Sequence, residues 1–300
     1  MRGGVILFIC YLFSPFYPQK ETTPFFSVLI PTYNRAHLLP QAIDSILRQS
    51  YQNFELIILD DGSSDNTAEL LKTYQQKHPF IYVHQHKKNQ GVAHARNKLT
   101  QLARGKYIAL LDSDDVAHPD WLKSMYQFIQ KNPHIDLIIA HKEQLTNEDQ
   151  KKDTFSPLAS RIFVANSFEN VGNVFSTAFV KKHHITYDTQ LVCGEDYDFW
   201  AQMILKGAKI DTLDDETPLV KINRHNLSNS SYQQQCKNAQ KQVQQKFQKA
   251  LNLFIEDNKV GECQIFMHFN EKYPTVFSQK IKDEKRYCPY FLKLSHETQK

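Results

Sequence analysis

From Phe25 to Ala140 the chain alternates between short apolar runs of strand length and longer stretches whose apolar residues recur at helical spacing. Phe26-Ser27-Val28-Leu29-Ile30, Phe54 to Leu59, Ile81-Tyr82-Val83, Tyr107 to Leu111 and Ile135 to Ala140 read as strands. Between them, His37 to Gln49, Ala68 to Gln76, Gly91 to Ala103 and Pro119 to Gln130 read as helices. The last of these has Pro119 in its first turn, where a missing N–H costs nothing. Strands that follow one another only through helices pair in parallel, and such a sheet is covered on both faces. The expected architecture is therefore α/β, with a mainly parallel sheet flanked by helices.

Beyond Ala140 the pattern weakens. His141 to Asn173 is polar and irregular, Val174 to Val180 reads as a strand, Glu195 to Lys206 as a helix, and Leu219 to Ile222 as a short strand. In the Gln- and Lys-rich tail, Cys236, Ala239, Val243, Phe247, Ala250, Leu251 and Phe254 recur at steps of three and four. That stripe predicts a helix packed on the main domain, with a membrane-surface or dimer helix as the alternative. The expected division is an apolar extension or peripheral anchor over 1–24, one α/β domain over 25–228, and a helical extension over 229–300. Val5 to Tyr17 is too short to span a bilayer, which takes about 20 apolar residues. An upstream start, a peripheral anchor and a signal segment all remain open for it.

A net charge of +4 permits anionic ligands without calling for nucleic acid. The five cysteines are scattered, with no C-x-x-C pair. That argues against a disulfide framework or zinc knuckle and for a reducing compartment.

Two acidic clusters follow strands directly: Asp60-Asp61 after the second, and Asp112-Ser113-Asp114-Asp115 after the fourth. In an open parallel sheet, ligands bind beyond the carboxyl ends of the strands, so both clusters belong to one edge. So many carboxylates around one crevice repel unless a cation sits among them. A hard divalent ion with oxygen ligands, shared with phosphate oxygens, resolves the repulsion. The competing reading is plain turn chemistry, because Asp-Gly and Ser-Asp-Asn are good turn formers.

Several motifs stand in order: Ser27-Val28-Leu29-Ile30-Pro31-Thr32-Tyr33-Asn34-Arg35, Asp60 through Thr67, Asn89-Gln90-Gly91 with Ala95-Arg96-Asn97, Asp112-Ser113-Asp114-Asp115, and Gly194-Glu195-Asp196-Tyr197-Asp198-Phe199-Trp200. In these motifs the chain resembles the inverting glycosyltransferases of family 2, of the GT-A fold and the non-processive bacterial type. The resemblance runs from about Phe26 to Ser228. It implies transfer of a sugar from a nucleotide-diphosphate sugar, most simply a UDP-sugar, to a hydroxyl, with Mn²⁺ or Mg²⁺ as cofactor. By this resemblance Pro31, Thr32 and Tyr33 line the nucleobase pocket and Arg35 approaches the phosphates. Asp61 accepts a hydrogen bond from the base. Arg96 helps hold nucleotide or diphosphate, Asp112 lies on the ribose side, Ser113 belongs to the nucleotide-sugar site, and Asp114 is the principal metal ligand.

The resemblance also makes Asp196 the general base, taking the acceptor hydroxyl's proton as the new bond forms. Glu195 and Trp200 fall on the acceptor side. Asp196 also opens a predicted helix, where the competing reading is a helix-terminus acid, and that position would lower its pKa and weaken it as a base. His225 is a second candidate metal ligand, in a loop where Arg224 and His225 are adjacent although relatives often separate the two. The expected acceptor is a glycan or lipid-linked saccharide, as in polysaccharide or lipopolysaccharide biosynthesis. The expected location is cytoplasmic, compatible with peripheral attachment to the inner face of the plasma membrane. The alternative is a catalytically silent nucleotide-sugar-binding protein of the same fold. A dinucleotide-binding enzyme is disfavoured, because no G-x-G-x-x-G follows any strand.

Overall fold

The computed structural model describes residues 23–140, 142–144, 171–213 and 218–223, together with helical positions 234–236, 238–239, 241–243 and 245–246. In chain order the elements are β1 (Phe26–Thr32), α1 (Leu39–Leu47), β2 (Phe54–Asp60), α2 (Thr67–Lys77), β3 (Ile81–Gln85), α3 (Val92–Leu102), β4 (Tyr107–Leu110) and β5 (Val116–Ala117). Next come α4 (Trp121–Lys131), β6 (Leu137–Ala140), β7 (Lys142–Gln144), β8 (Val174–Ser176), α5 (Thr177–Lys182), α6 (Glu195–Leu205), β9 (Ile210–Leu213) and β10 (Val220–Ile222).

The main sheet has seven strands in the order β3-β2-β1-β4-β8-β6-β9. β3, β2, β1 and β4 pair in parallel, whereas β8 runs antiparallel to both β4 and β6. A second sheet of β5, β10 and β7 lies beyond it. β1 and β2 are buried along their whole lengths, as expected of central strands covered on both faces.

Side chains alternate across the sheet. Phe26, Val28 and Ile30 of β1 join one apolar cluster with Leu39, Ile43 and Ile46 of α1, Leu71 of α2 and Trp121 and Met125 of α4. Leu29 joins the other, with Leu99 of α3, Val180 of α5 and Phe199 and Met203 of α6. Each fully buried Leu or Ile contributes roughly 1.5–3 kcal/mol relative to exposure. The Trp121 indole also donates to the Gly172 carbonyl at 3.1 Å, which fixes the chain just ahead of β8.

Three expectations are corrected. The strand expected over Val174–Val180 stops at Ser176, whose hydroxyl accepts from Phe179 N at 3.2 Å and turns the chain into α5. The polar stretch after Ala140 contains β7, which pairs with β10. Finally, the expectation of reduced thiols fails for Cys193 and Cys236, which form a disulfide across 43 positions with a Cα–Cα distance of 5.3 Å. Linear spacing gave no sign of it, because the tail helix folds back to bring Cys236 beside the segment preceding α6.

The tail stripe packs on the main domain where it is described: Ala239 and Val243 are buried. Phe247 to Phe254, and all but the last two residues of the 1–24 extension, lie outside the described residues. Among the described residues no helix is long and apolar enough to cross a membrane.

Candidate active site

The parallel register brings the carboxyl ends of β1, β2 and β4 to one edge, with Thr32 opposite Asp60 and Leu29 opposite Leu110. Both acidic clusters lie on that edge. The loops leaving β1 and β2 are clasped together. Asp61 N donates to Thr32 O and Asn34 N to Ser63 Oγ, each at 2.8 Å. Ser64 N donates back to Asn34 Oδ1 at 2.8 Å, and Ala36 N donates to Asp65 Oδ2 at 3.1 Å. Asn34 holds a left-handed φ of 51°, which Asn tolerates better than most residues. Gly62 has φ +75°, and a Cβ there would stand 2.7 Å from the Lys88 carbonyl carbon, so the loop after β2 touches the 88–89 backbone.

The nucleobase-side candidates are placed as follows. Pro31 and Thr32 are buried at the end of β1, and Thr32 Oγ1 has no hydrogen-bond partner among the described residues. Tyr33 is 43% exposed, an open aromatic face at the crevice and no core residue. Asp60 is spent on its own loop, accepting from Ser63 N at 3.0 Å and Gln85 Nε2 at 2.9 Å. Asp61 accepts from Gln90 N and Gly91 N, the latter at 2.7 Å, and its Oδ1 takes the Nδ1–H of His86 at 2.6 Å. Gln90 N also reaches Oδ2 at 3.1 Å, so the four acceptor directions of this buried carboxylate are engaged by its own loops.

After β4, Asp112 and Asp114 are partly exposed, whereas Ser113 and Asp115 are buried. Asp115 ties the turn to the exit of β10 by accepting from Asn223 N at 2.9 Å, and Asn223 Nδ2 donates to the Asp114 carbonyl. Arg35 Nη2 stands 3.8 Å from Asp114 Oδ2. His225, two positions past Asn223, lies outside the described residues.

Arg96, buried on α3, reaches both sides of the crevice. Its Nη2 donates to Asp112 Oδ1 at 2.9 Å and its Nη1 to Glu195 Oε1 at 2.6 Å. Burial alone would depress this guanidinium's pKa, but the two carboxylates override that and raise it. Both terminal nitrogens therefore already serve carboxylates, and Arg96 is not an uncommitted cation. Glu195 is likewise turned inward, buried against Arg96, and not open toward an acceptor.

Asp196 follows at the start of α6, half-buried, with Oδ1 accepting from Tyr197 N at 2.7 Å. Burial, reinforced by Glu195, pushes its pKa up to about 6 against the opposing pull of Arg96. The expected lowering by the helix terminus is thus outweighed. Trp200 is corrected outright. It is fully buried, packed against Phe175 and Phe199, and supports α6 from within the core.

Among the described residues no group of three or more His, Cys, Asp or Glu stands ready to hold a metal. Asp112 and Asp114 nevertheless offer the carboxylate oxygens that a hard cation takes, as a partial set. Sequence reasoning missed His86, Asn223 and the left-handed Asn34. For Asn34 the local signal was the residue type itself, but His86 and Asn223 become visible only once the loops converge.

The profile of Glycosyl transferase family 2 matches residues 27–190, over half of the chain. An uncharacterized glycosyltransferase of Methanocaldococcus jannaschii is 31% identical over 201 residues, covering 64% of this chain and 69% of the relative. The Bacillus subtilis glycosyltransferase TuaG, named for teichuronic acid biosynthesis, is 34% identical over 147 residues, 44% of this chain and 58% of its own. Residues 1–349 of S. aureus TarS, solved in complex with UDP, superpose with a TM-score of 0.58 at 26% identity, covering 66% of this chain and 60% of that one. The chain thus spans less than two thirds of the length of the latter two.

Proposed function

The chain belongs to glycosyl transferase family 2, and from that premise we propose that it transfers a sugar, with inversion, from a UDP-sugar to a hydroxyl of a glycan or lipid-linked acceptor. The observation that carries this reading is the Arg96 bridge, which joins Asp112 at the exit of β4 to Glu195 beside Asp196. One buried cation thereby couples the edge suited to a diphosphate to the helix end suited to an acceptor.

In this reading the uracil lies against the exposed ring of Tyr33 and donates to Asp61 in place of one of its loop donors. Pro31 and Thr32 form the floor, and Arg35, Ser113 and Asp112 flank the ribose and diphosphate. Asp112 and Asp114 would hold Mn²⁺ or Mg²⁺, with His225 as a further candidate ligand. When bound, the ion neutralises charge growing on the departing diphosphate. Asp196 receives the acceptor proton as the oxygen attacks the anomeric carbon from the face opposite the nucleotide. The UDP complex of TarS supports the choice of nucleotide, and the teichuronic acid relative supports a glycan acceptor.

Calorimetric titration with UDP and GDP, with and without Mn²⁺, followed by UDP-release assays on candidate UDP-sugars, tests the proposal. UDP binding strengthened by Mn²⁺, together with turnover, is the expected result. Binding without turnover on any acceptor points to the catalytically silent alternative, and no nucleotide binding at all overturns both readings.

A further inference from the structure

Residues beyond the matched profile return to the acceptor side of the crevice. Cys236, Ala239, Val243 and Lys246 lie on one stripe of the tail helix, at steps of three and four. Cys236 is bonded to Cys193. Val243 is buried in the apolar cluster that also holds Tyr187, Tyr197 and Phe199. Lys246 Nζ stands 2.7 Å from Asp198 Oδ1 and 3.4 Å from Asp188 Oδ2. Burial works against the lysine's charge, and Asp198 more than offsets that, so its pKa is raised. The tail thus grips the 188–198 stretch at its start, its middle and one turn into α6. Between these grips lie the left-handed Gly194 (φ 81°), Glu195 and Asp196.

We propose that Cys193 and Cys236 form a reversible thiol–disulfide site whose closure latches the tail helix onto the segment carrying Asp196 and holds that carboxylate in its working position. The role rests on the transferase reading above. Both cysteines are half-buried, which leaves them open to small thiols. In the closing reaction a thiolate of the pair attacks a low-molecular-weight disulfide, RSSR, and releases one RSH. The other cysteine then displaces the second RSH from the mixed disulfide. The protein gives up two electrons and two protons, and RSSR becomes two RSH. With the latch open, the Lys246–Asp198 contact and the Val243 seat remain, but the residue directly before Gly194 is untethered. Cys193, Cys236 and Lys246 are therefore positioning residues, which act through Asp196.

The test uses the full chain equilibrated with glutathione disulfide or with dithiothreitol. Non-reducing peptide mass mapping reads the cross-link, hydrogen exchange reads residues 188–196, and UDP affinity and transfer are measured alongside. The oxidised chain is expected to yield a 193–236 cross-linked peptide. Its 188–196 amides should exchange about tenfold more slowly, the lower end of what loop closure by a disulfide gives. Its kcat should rise several-fold while UDP affinity stays unchanged. Cys236→Ser should show the reduced behaviour in both buffers, and Lys246→Met should loosen the segment in either. Absence of the cross-link, an exchange rate that ignores it, or a kcat that is unchanged or lower in the oxidised chain overturns the latch. Exchange that responds while neither form turns over any UDP-sugar upholds the latch and overturns the transferase reading instead.

Discussion

Arg96 and Glu195 are 99 positions apart in the chain, yet their Nη1 and Oε1 atoms stand 2.6 Å apart in a buried ion pair. Removing one member of such a pair leaves the other charged and unpaired. Arg96→Met is expected to cost about 3–5 kcal/mol of stability. Arg96→Lys keeps the charge but loses the fork that serves two carboxylates, and should cost less stability while still lowering kcat. Urea unfolding of both variants beside single-turnover transfer checks this. Equal stability of Arg96→Met and wild type would contradict the bridge.

Asp196→Asn should leave UDP affinity intact and lower transfer by about 10²–10⁴-fold, the usual contribution of a positioned base. Turnover near the wild-type rate would remove Asp196 from that role.

The pH dependence follows from the raised pKa. Transfer should rise with slope one through an apparent pKa near 6 and level off above it. Glu195 is close enough for that value to belong to the pair. A profile flat from pH 5 to 8 on saturating substrate would contradict the assignment.

The same shift carries a stability sign. Because Asp196 has a higher pKa folded than unfolded, its protonated form supports the fold fully below the unfolded value of 3.8. That support is lost as pH rises through about 6. Asp196→Asn should therefore be more stable than wild type at pH 8, by on the order of 1–3 kcal/mol, with the gain vanishing near pH 3.5. Thermal melts at both pH values read it directly.

Gly62→Ala should be destabilised by about 1–3 kcal/mol, through a strained positive φ and the clash with the 88–89 backbone. Asp61 braces the neighbouring 90–91 turn, so UDP affinity should fall as well. Asp114→Ala should bind UDP equally with and without Mn²⁺, as wild type should after chelation.

The sheet was readable because its central strands are continuous apolar runs and its helices carry clean stripes. Phe26 to Ile30 and Phe54 to Leu59 left little alternative. Placing the acidic clusters at strand ends followed from the rule that parallel strands end on one edge. The sequence could not show which atoms each charge meets. Arg96 was expected to help hold nucleotide or diphosphate and Trp200 to fall on the acceptor side, because type and periodicity do not reveal that one faces two carboxylates and the other the core. The reversal at β8 was unreadable because three residues carry too little pattern, and the helix after them hangs on the single hydroxyl of Ser176. The pairing of Cys193 with Cys236 depends on a tail that returns from outside the matched region.

β8 runs against its neighbours, so its first residue, Val174, sits beside Ala109 near the exit of β4, and Gly172 N donates to Leu110 O at 2.8 Å. In the second sheet, Gln144 at the end of β7 pairs with Ile222 of β10. With β8 fastened to both β4 and β6, the register among β1, β2 and β4 does not depend on the length of chain that connects β7 to β8.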